Sequence, residues 1–276
     1  MSGRDRDDAT DRAADFRRIA SRMRLSAVRM VAIQGFGYLG QALSSAEIFA
    51  TLFRGGVLRH GHDRFVLSPA HYAIALYAAA AEAGLLDEQE LDTYGRDGTR
   101  LEAIATERTP VADLVCGSLG QGLSGAVGLA LAVHLAGEDR VTYAVLSDGE
   151  MEEGQIWEAA MFASHHRARM GTLRVIVDAN DSQVDGPVTS VTTLEPLADK
   201  WRAFGWRVAD VDGHDVTALL DALVDDPDDR GPLIVIARTH IFGRMRAFPR
   251  ATDGHFIKLD AELERALTAE LEAALA

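Results

Sequence analysis

The sequence predicts an α/β protein with an open, mostly parallel sheet and helices on both faces. Three observations carry that expectation. Four near-continuous apolar runs, "VTYAVLS" (141–147), "TLRVIVD" (172–178), "WRVADV" (206–211) and "PLIVIA" (232–237), read as strands buried on both faces. Residues 152–170 and 214–225 are long enough for the crossover helices that parallel strands require. The chain has 276 residues, 47% of them hydrophobic and 25% charged, which suits a sizeable core and excludes a disordered chain.

Taken in order, residues 1–12 are dense in charge and are expected to form a disordered leader, with one domain over 13–276. From Phe16, the positions Ile19, Ala20, Met23, Ala27 and Met30 recur at helical spacing. A glycine cluster follows, then a helix through "SSAEIFATLF" (44–53), which Ser44 or Ser45 is expected to cap. "DRFVLS" (63–68) reads as a short strand, and residues 70–84 as an alanine-rich helix ending at Gly84. After "CGSLGQGLSG" (116–125), the small apolar residues of 124–136 suit a helix packed closely on a sheet. No internal repeat or linker interrupts the chain.

The formal net charge of −14 argues against nucleic acid, whose phosphates need a basic face. It leaves room for an anionic ligand where a metal ion or local dipoles supply positive charge. Cys116 is the only cysteine, so no disulfide framework exists and a cytoplasmic location is the default expectation. The N-terminus lacks an apolar core of the signal-peptide kind. The most apolar segment, residues 70–86, contains His71, Tyr72 and Glu82 and reads as a buried helix, so no membrane association is expected.

Two motifs invite a chemical reading. "GFGYLG" (35–40) fits G-x-G-x-x-G, but a helix rather than a strand precedes it, so the dinucleotide-binding reading fails. "VLSDGEMEEG" (145–154) places Asp148, Glu150, Glu152 and Glu153 within six positions at the end of an apolar run. One crossover later, "VIVDANDSQVDG" (175–186) ends another run with Asp178, Asn180 and Asp185. Adjacent parallel strands would bring Asp148 and Asn180 to one carboxyl edge, where ligands of open α/β sheets sit. A carboxylate, a carboxamide and a backbone carbonyl are hard oxygen ligands suited to Mg²⁺ or Ca²⁺. Acidic helix caps at two strand–helix turns would explain the same spacing.

"SDGEMEEGQIWEAAMFASHH" with "VIVDANDSQVDG" resembles the thiamine diphosphate motif of transketolases, a Gly-Asp-Gly followed some thirty residues later by Asn. "GSLGQGLSGAVGLALA" resembles the glycine loop of that family, and "DRFVLSPAH" its strand–turn–His segment. "TLEPLADKWRAFGWRVADVDGHD" and "PLIVIARTHIFGR" extend the resemblance, which covers roughly residues 20–270. It matches only the diphosphate-binding half of a transketolase, as the N-terminal subunit of a split enzyme would. The resemblance implies that Asp148, Asn180 and the carbonyl of Ser182 ligate the metal, Mg²⁺ or Ca²⁺. It implies that Gly149, Gly117 and Leu119 contact thiamine diphosphate, and that His71 and His255 lie near the diphosphate. Glu153 and Glu158 match positions at the subunit interface, whereas Glu150 and Glu152 receive no role and are expected to be solvated. His165 and His166 are expected to be structural or on the surface.

The departures from the family pattern are specific. Tyr38 and Leu39 stand where such families carry His-Pro, Ser147 replaces the first glycine of the metal motif, and "LEAIATERTP" offers Glu102 or Ala103 where a second histidine is usual. A phenol with an ordinary pKa near 10 is a poor proton shuttle at neutral pH. The resemblance thus implies a transferase that moves a two-carbon ketol or acyl unit to an acceptor carbonyl in a specialised biosynthetic pathway. Its expected partner is a C-terminal, pyrimidine-binding transketolase subunit in an α2β2 heterotetramer, its substrates small carbonyl compounds. A non-catalytic scaffold of the same fold and a 2-oxo acid dehydrogenase-type α subunit are the alternatives.

Overall fold

The computed structural model describes residues 3–223, 231–249 and 252–276, with side chains from residue 13 onward. The chain runs α1 (Gly3–Gln34), β1 (Phe36–Gly37), α2 (Leu39–Ser44), α3 (Ala46–Arg54), β2 (Arg64–Leu67), α4 (Ala73–Glu82), β3 (Leu114–Val115), α5 (Gln121–Ala136) and β4 (Thr142–Ser147). It continues through α6 (Gly154–His165), β5 (Leu173–Ala179), α7 (Val188–Val191), α8 (Leu197–Ala203), β6 (Arg207–Asp212), α9 (Val216–Ala222), β7 (Leu233–Arg238), β8 (Ile257–Lys258) and α10 (Ala261–Leu275). Six strands form one parallel sheet in the order β3-β2-β4-β5-β7-β6, and β1 pairs with β8 antiparallel. Among the described residues, no helix is long and apolar enough to cross a membrane.

The sheet divides the interior into two cores. One, holding Phe49, Phe65, Tyr77, Val145 and Ile176, packs α1, α3, α4, α9 and α10 on one face. The other, holding Val66, Leu146, Val177, Trp201 and Ile234, packs α5, α6 and α8 on the opposite face. Alternate residues of β4 and β5 therefore enter different cores, which is why these strands read as unbroken apolar runs rather than alternating ones. β6 differs because it is the sheet's edge: Arg207, Asp210 and Asp212 alternate with its apolar residues and the strand is only half-buried.

Several expectations are corrected locally. The leader expected as disordered over residues 1–12 is continued as α1 backbone from Gly3, since no proline breaks the chain before Gln34, while residues 1 and 2 lie outside the described residues. The helix expected through 44–53 is two helices meeting at Ser45, and neither serine caps it. Ser45 Oγ donates instead to the carbonyl of Gln41 at 2.5 Å, and Ser44 Oγ reaches the sheet. The crossover expected over 214–225 is α9, capped by Asp215, whose carboxylate accepts from the amides of Thr217 and Ala218; residues 224 and 225 lie outside the described residues.

Candidate functional site

The site forms where β4 and β5 end together. Ser147 pairs in register with Asp178, so the next residues, Asp148 and Asn180, emerge at the same carboxyl edge. Asp148 is 4% exposed; its Oδ1 accepts from the Gly149 amide at 2.9 Å and its Oδ2 from the Asp181 amide at 2.6 Å. Burial, with the charge of Asp178 added, pushes the Asp148 carboxyl up to about 8. Asn180 Nδ2 donates to Asp178 Oδ2 at 2.9 Å and lies near Ser44 Oγ and the Tyr72 hydroxyl, so its Oδ1 is the atom turned to the loop, where it accepts from the Ser182 amide at 2.9 Å.

Asp178 anchors this corner. Fully buried, it accepts from Ser44 Oγ (2.5 Å), the Tyr72 hydroxyl (2.9 Å), Asn180 Nδ2 and Thr239 Oγ1, joining α2, the turn before α4, β5 and the end of β7. Its pKa is raised by burial, against the pull of those donors. The arrangement fits a hard divalent cation. A buried carboxylate driven toward its neutral form is the group that a positive charge would stabilise, and Asn180 Oδ1 is oriented by donors behind it. Among the described residues, no three His, Cys, Asp or Glu side chains form a metal cluster of their own. The oxygen donors that the structure brings to this edge are the Asp148 carboxylate and Asn180 Oδ1, with Ser182 on the adjoining loop.

A cleft of about 450 Å³ opens over this edge. Tyr38, Gln41, His71, Gly117, Leu119, Gly149, Glu153, Ser182 and His255 line it, with Asp148 and Asn180 buried just beneath Gly149 and Ser182. A Cβ on Gly117 would meet nothing within 4 Å, so its backbone presents open surface, whereas one on Gly149 would press on Gln183 Cβ at 3.2 Å, so Gly149 lets the two loops approach closely. Tyr38, His71 and His255 form a triangle of rings with centroids 5.2, 5.2 and 5.6 Å apart, and Phe256 meets Tyr38 edge-on at 5.2 Å. Burial, with the neighbouring His255 adding, lowers the His71 pKa to about 3; burial also lowers that of His255. Gln41 Nε2 lies 2.8 Å from His255 Nδ1, while Gln41 Oε1 and Gln183 Nε2 are buried without a protein partner. A buried polar atom left unpaired costs about 1–3 kcal/mol, so a cleft that keeps two of them is built for a polar ligand.

Most of the residues singled out by sequence meet in this cleft, and the exceptions are instructive. Glu158 does not reach it; it is exposed on α6, five positions beyond Glu153, which is exposed at the cleft. Glu150, expected to be solvated, is fully buried. Its carboxylate accepts from Ser68 Oγ (2.5 Å), the Gly120 amide (2.9 Å) and the Ser147 amide (3.1 Å), pinning the glycine loop to the ends of β2 and β4. Those three donors offset the burial that raises its pKa. Glu152 is exposed and lines the cleft. At the second lost histidine, neither Glu102 nor Ala103 faces the cleft; Ile104 does, because Glu102 is turned away to pair with Arg108. His165 is exposed, and His166 packs on Phe162 at the end of α6, as expected. Gln41, Ile104 and Gln183 were not singled out by the sequence as parts of the site, and Asp178, named at its strand end, was given no role.

Comparison with known proteins adds three findings. Residues 16–266 match the family described as "Transketolase, thiamine diphosphate binding domain". A transketolase family protein of Sinorhizobium fredii is 41% identical over 253 residues, covering 88% of this chain and 90% of its own. The 6-deoxy-6-sulfo-D-fructose transketolase subunit SqwG of a Clostridium species is 40% identical over 247 residues, covering 86% and 89%. The crystal structure of the transketolase from Campylobacter jejuni superposes with a TM-score of 0.82 at 23% identity over 93% of this chain, a likeness of fold. The chain spans 42% of the length of that enzyme.

Proposed function

The chain belongs to the transketolase family as its thiamine diphosphate-binding domain, and from that premise we propose that it is one subunit of a two-component transketolase-like enzyme. The enzyme transfers a two-carbon ketol or acyl unit from a donor to an acceptor carbonyl, with Mg²⁺ (or Ca²⁺) and thiamine diphosphate held by this chain. The observation that carries the reading is the buried Asp148, brought by strand register beside Asn180 under a cleft lined by Gly117 and Gly149. A bound cation would offset the burial that raises the Asp148 carboxyl to about 8, which favours this reading over a scaffold. A 2-oxo acid dehydrogenase α subunit finds no support among the matches described.

In this reading Asp148, Asn180 Oδ1 and the Ser182 carbonyl hold the metal, and Asp178 orients the Asn180 amide. Gly117, Leu119 and Gly149 bring backbone against the cofactor, and His71, kept neutral by its burial, stands over the diphosphate as a hydrogen-bonding group rather than a charge. Bound thiamine diphosphate supplies the nucleophilic carbon and the electron sink for carbon–carbon cleavage. Tyr38 and His255 face the substrate, and Glu153 and Glu158 meet the other subunits of the assembly.

The partner is a chain carrying the pyrimidine-binding domain, assembled with this one as an α2β2 heterotetramer. Two supports are the chain's share of a whole transketolase and the word subunit in the name of the Clostridium relative, which is of this chain's length. The donor is a specialised ketose or keto acid rather than a common pentose phosphate, because Tyr38 stands where the resemblance places a histidine and the apolar Ile104 lines the same cleft. We place the enzyme in the cytoplasm on the single buried cysteine. The test is a thermal-shift titration with thiamine diphosphate and Mg²⁺, on the chain alone and with its partner. Stabilisation that requires both ligands supports the reading; no shift in either preparation rejects it.

A further inference from the structure

The cleft contains one side chain that the proposed chemistry does not use and the resemblance does not explain. Gln41 is 1% exposed at the middle of α2, on the cleft wall, with its amide against the His255 ring. A glutamine Nε2 can only donate, so a 2.8 Å approach to His255 Nδ1 makes that nitrogen the acceptor and leaves the ring proton on Nε2. We propose that Gln41 is a positioning residue that fixes His255 as the neutral Nε2–H tautomer, a hydrogen-bond donor to a substrate oxygen, while Gln41 Oε1 accepts from a substrate hydroxyl. This rests on the reading of the cleft as the substrate site.

Three further observations support it. Gln41 Oε1 is buried with no partner, and it belongs to the same amide, so one side chain supplies a fixed ring and a waiting acceptor. The backbone carbonyl of Gln41 accepts from Ser44 Oγ and Ser45 Oγ at 3.2 and 2.5 Å, which fixes the α2 turn from which the side chain projects. The groups facing His255 agree: His71 beside it is itself neutral, Tyr38 meets it only edge-on, and Asp253 on its own loop pulls toward the charged form. Burial outweighs Asp253, and the ring is kept neutral. A donor ring beside an acceptor amide selects a substrate with two adjacent oxygens, one carbonyl or ether and one hydroxyl, as in a hydroxyketone.

The test reads the tautomer directly and needs no cofactor, so its failure is separable from a failure of the functional reading. Two-bond ¹H–¹⁵N correlation spectra of the full-length ¹⁵N-labelled chain, with His255 assigned through His255→Ala, report which ring nitrogen carries the proton. The expected result is an Nε2–H ring whose Nδ1 shift shows an accepted hydrogen bond. In Gln41→Leu that signature should be lost. In Gln41→Glu the proton should move to Nδ1 and the titration midpoint should rise by about one unit or more, since a carboxylate favours the imidazolium. An Nδ1–H ring in the wild type overturns the proposal, as does a Gln41→Leu spectrum unchanged at His255. The wild-type spectrum alone decides the tautomer even where a variant fails to fold.

Discussion

Asp148 carries opposite consequences for stability and for the proposed function. Its folded-state pKa, about 8, lies above the ordinary carboxylate value near 4, so the folded chain binds more protons than the unfolded chain between those limits. The contribution of Asp148 to stability is therefore fully present below about pH 4 and is lost as pH rises from about 4 through 8. The ligand-free chain should show a melting temperature that falls over this interval, and Asp148→Asn should flatten the fall; an equal slope in the variant would contradict the assignment. Tyr38 decides a different question. A pocket that replaces an imidazole by a phenol and sets Ile104 opposite offers a polyhydroxylated sugar phosphate fewer partners, and unpaired polar groups can cost factors of 10⁴ or more in rate. The assembled enzyme should use xylulose 5-phosphate and ribose 5-phosphate poorly, and Tyr38→His with Leu39→Pro should recover part of that activity. Steady-state kcat/KM on these sugars and on small keto acids makes the comparison, and full pentose-phosphate activity in the natural protein would refute it. Asp148 and Asn180 were legible in the sequence because each ends an apolar run. Gln41 was not: its partner His255 lies 214 positions away, and no local pattern marks the contact.

Among the elements, the glycine loop owes its place to Glu150. Three donors, from β2, the loop itself and the end of β4, converge on one buried carboxylate, and Gly122 packs so closely on Ser68 that a Cβ there would come within 2.2 Å of its Oγ. Glu150→Ala strands those donors at about 1 kcal/mol or more each, about 3 kcal/mol together. For a chain of this size that is a fall of about 5 °C in melting temperature by differential scanning calorimetry, and a fall under about 2 °C would show that the loop is held by other means. The same acid shows where sequence reading fails. Four acids in six positions look alike in the sequence, and only the fold separates the buried Glu150 from the exposed Glu152 and Glu153. The sheet was legible because four of its parallel strands are long and apolar. The split at Ser45 was not, because it accompanies the tertiary hydrogen bond of Ser44 to Asp178, 134 positions away, which the pattern of "SSAEIFATLF" does not mark.

As a whole molecule, the chain presents an incomplete surface around its cleft. Ile104 and Val184, which line it, and Phe256, whose ring meets Tyr38, are 45%, 71% and 40% exposed. In the proposed assembly the partner covers this side and contributes the carboxylate that activates the cofactor. The chain alone should therefore show no transferase turnover, and adding the partner should restore it; turnover by a preparation that mass spectrometry shows free of any partner would contradict the two-component reading. The central claim, that the paired strand ends of β4 and β5 hold a metal-bridged diphosphate, is tested most directly by isothermal titration of the assembled protein with thiamine diphosphate, with and without Mg²⁺, in wild type and Asp148→Ala. The account expects tight, Mg²⁺-dependent binding in the wild type, lost in the variant. Wild-type affinity in Asp148→Ala, or binding indifferent to Mg²⁺, would contradict it.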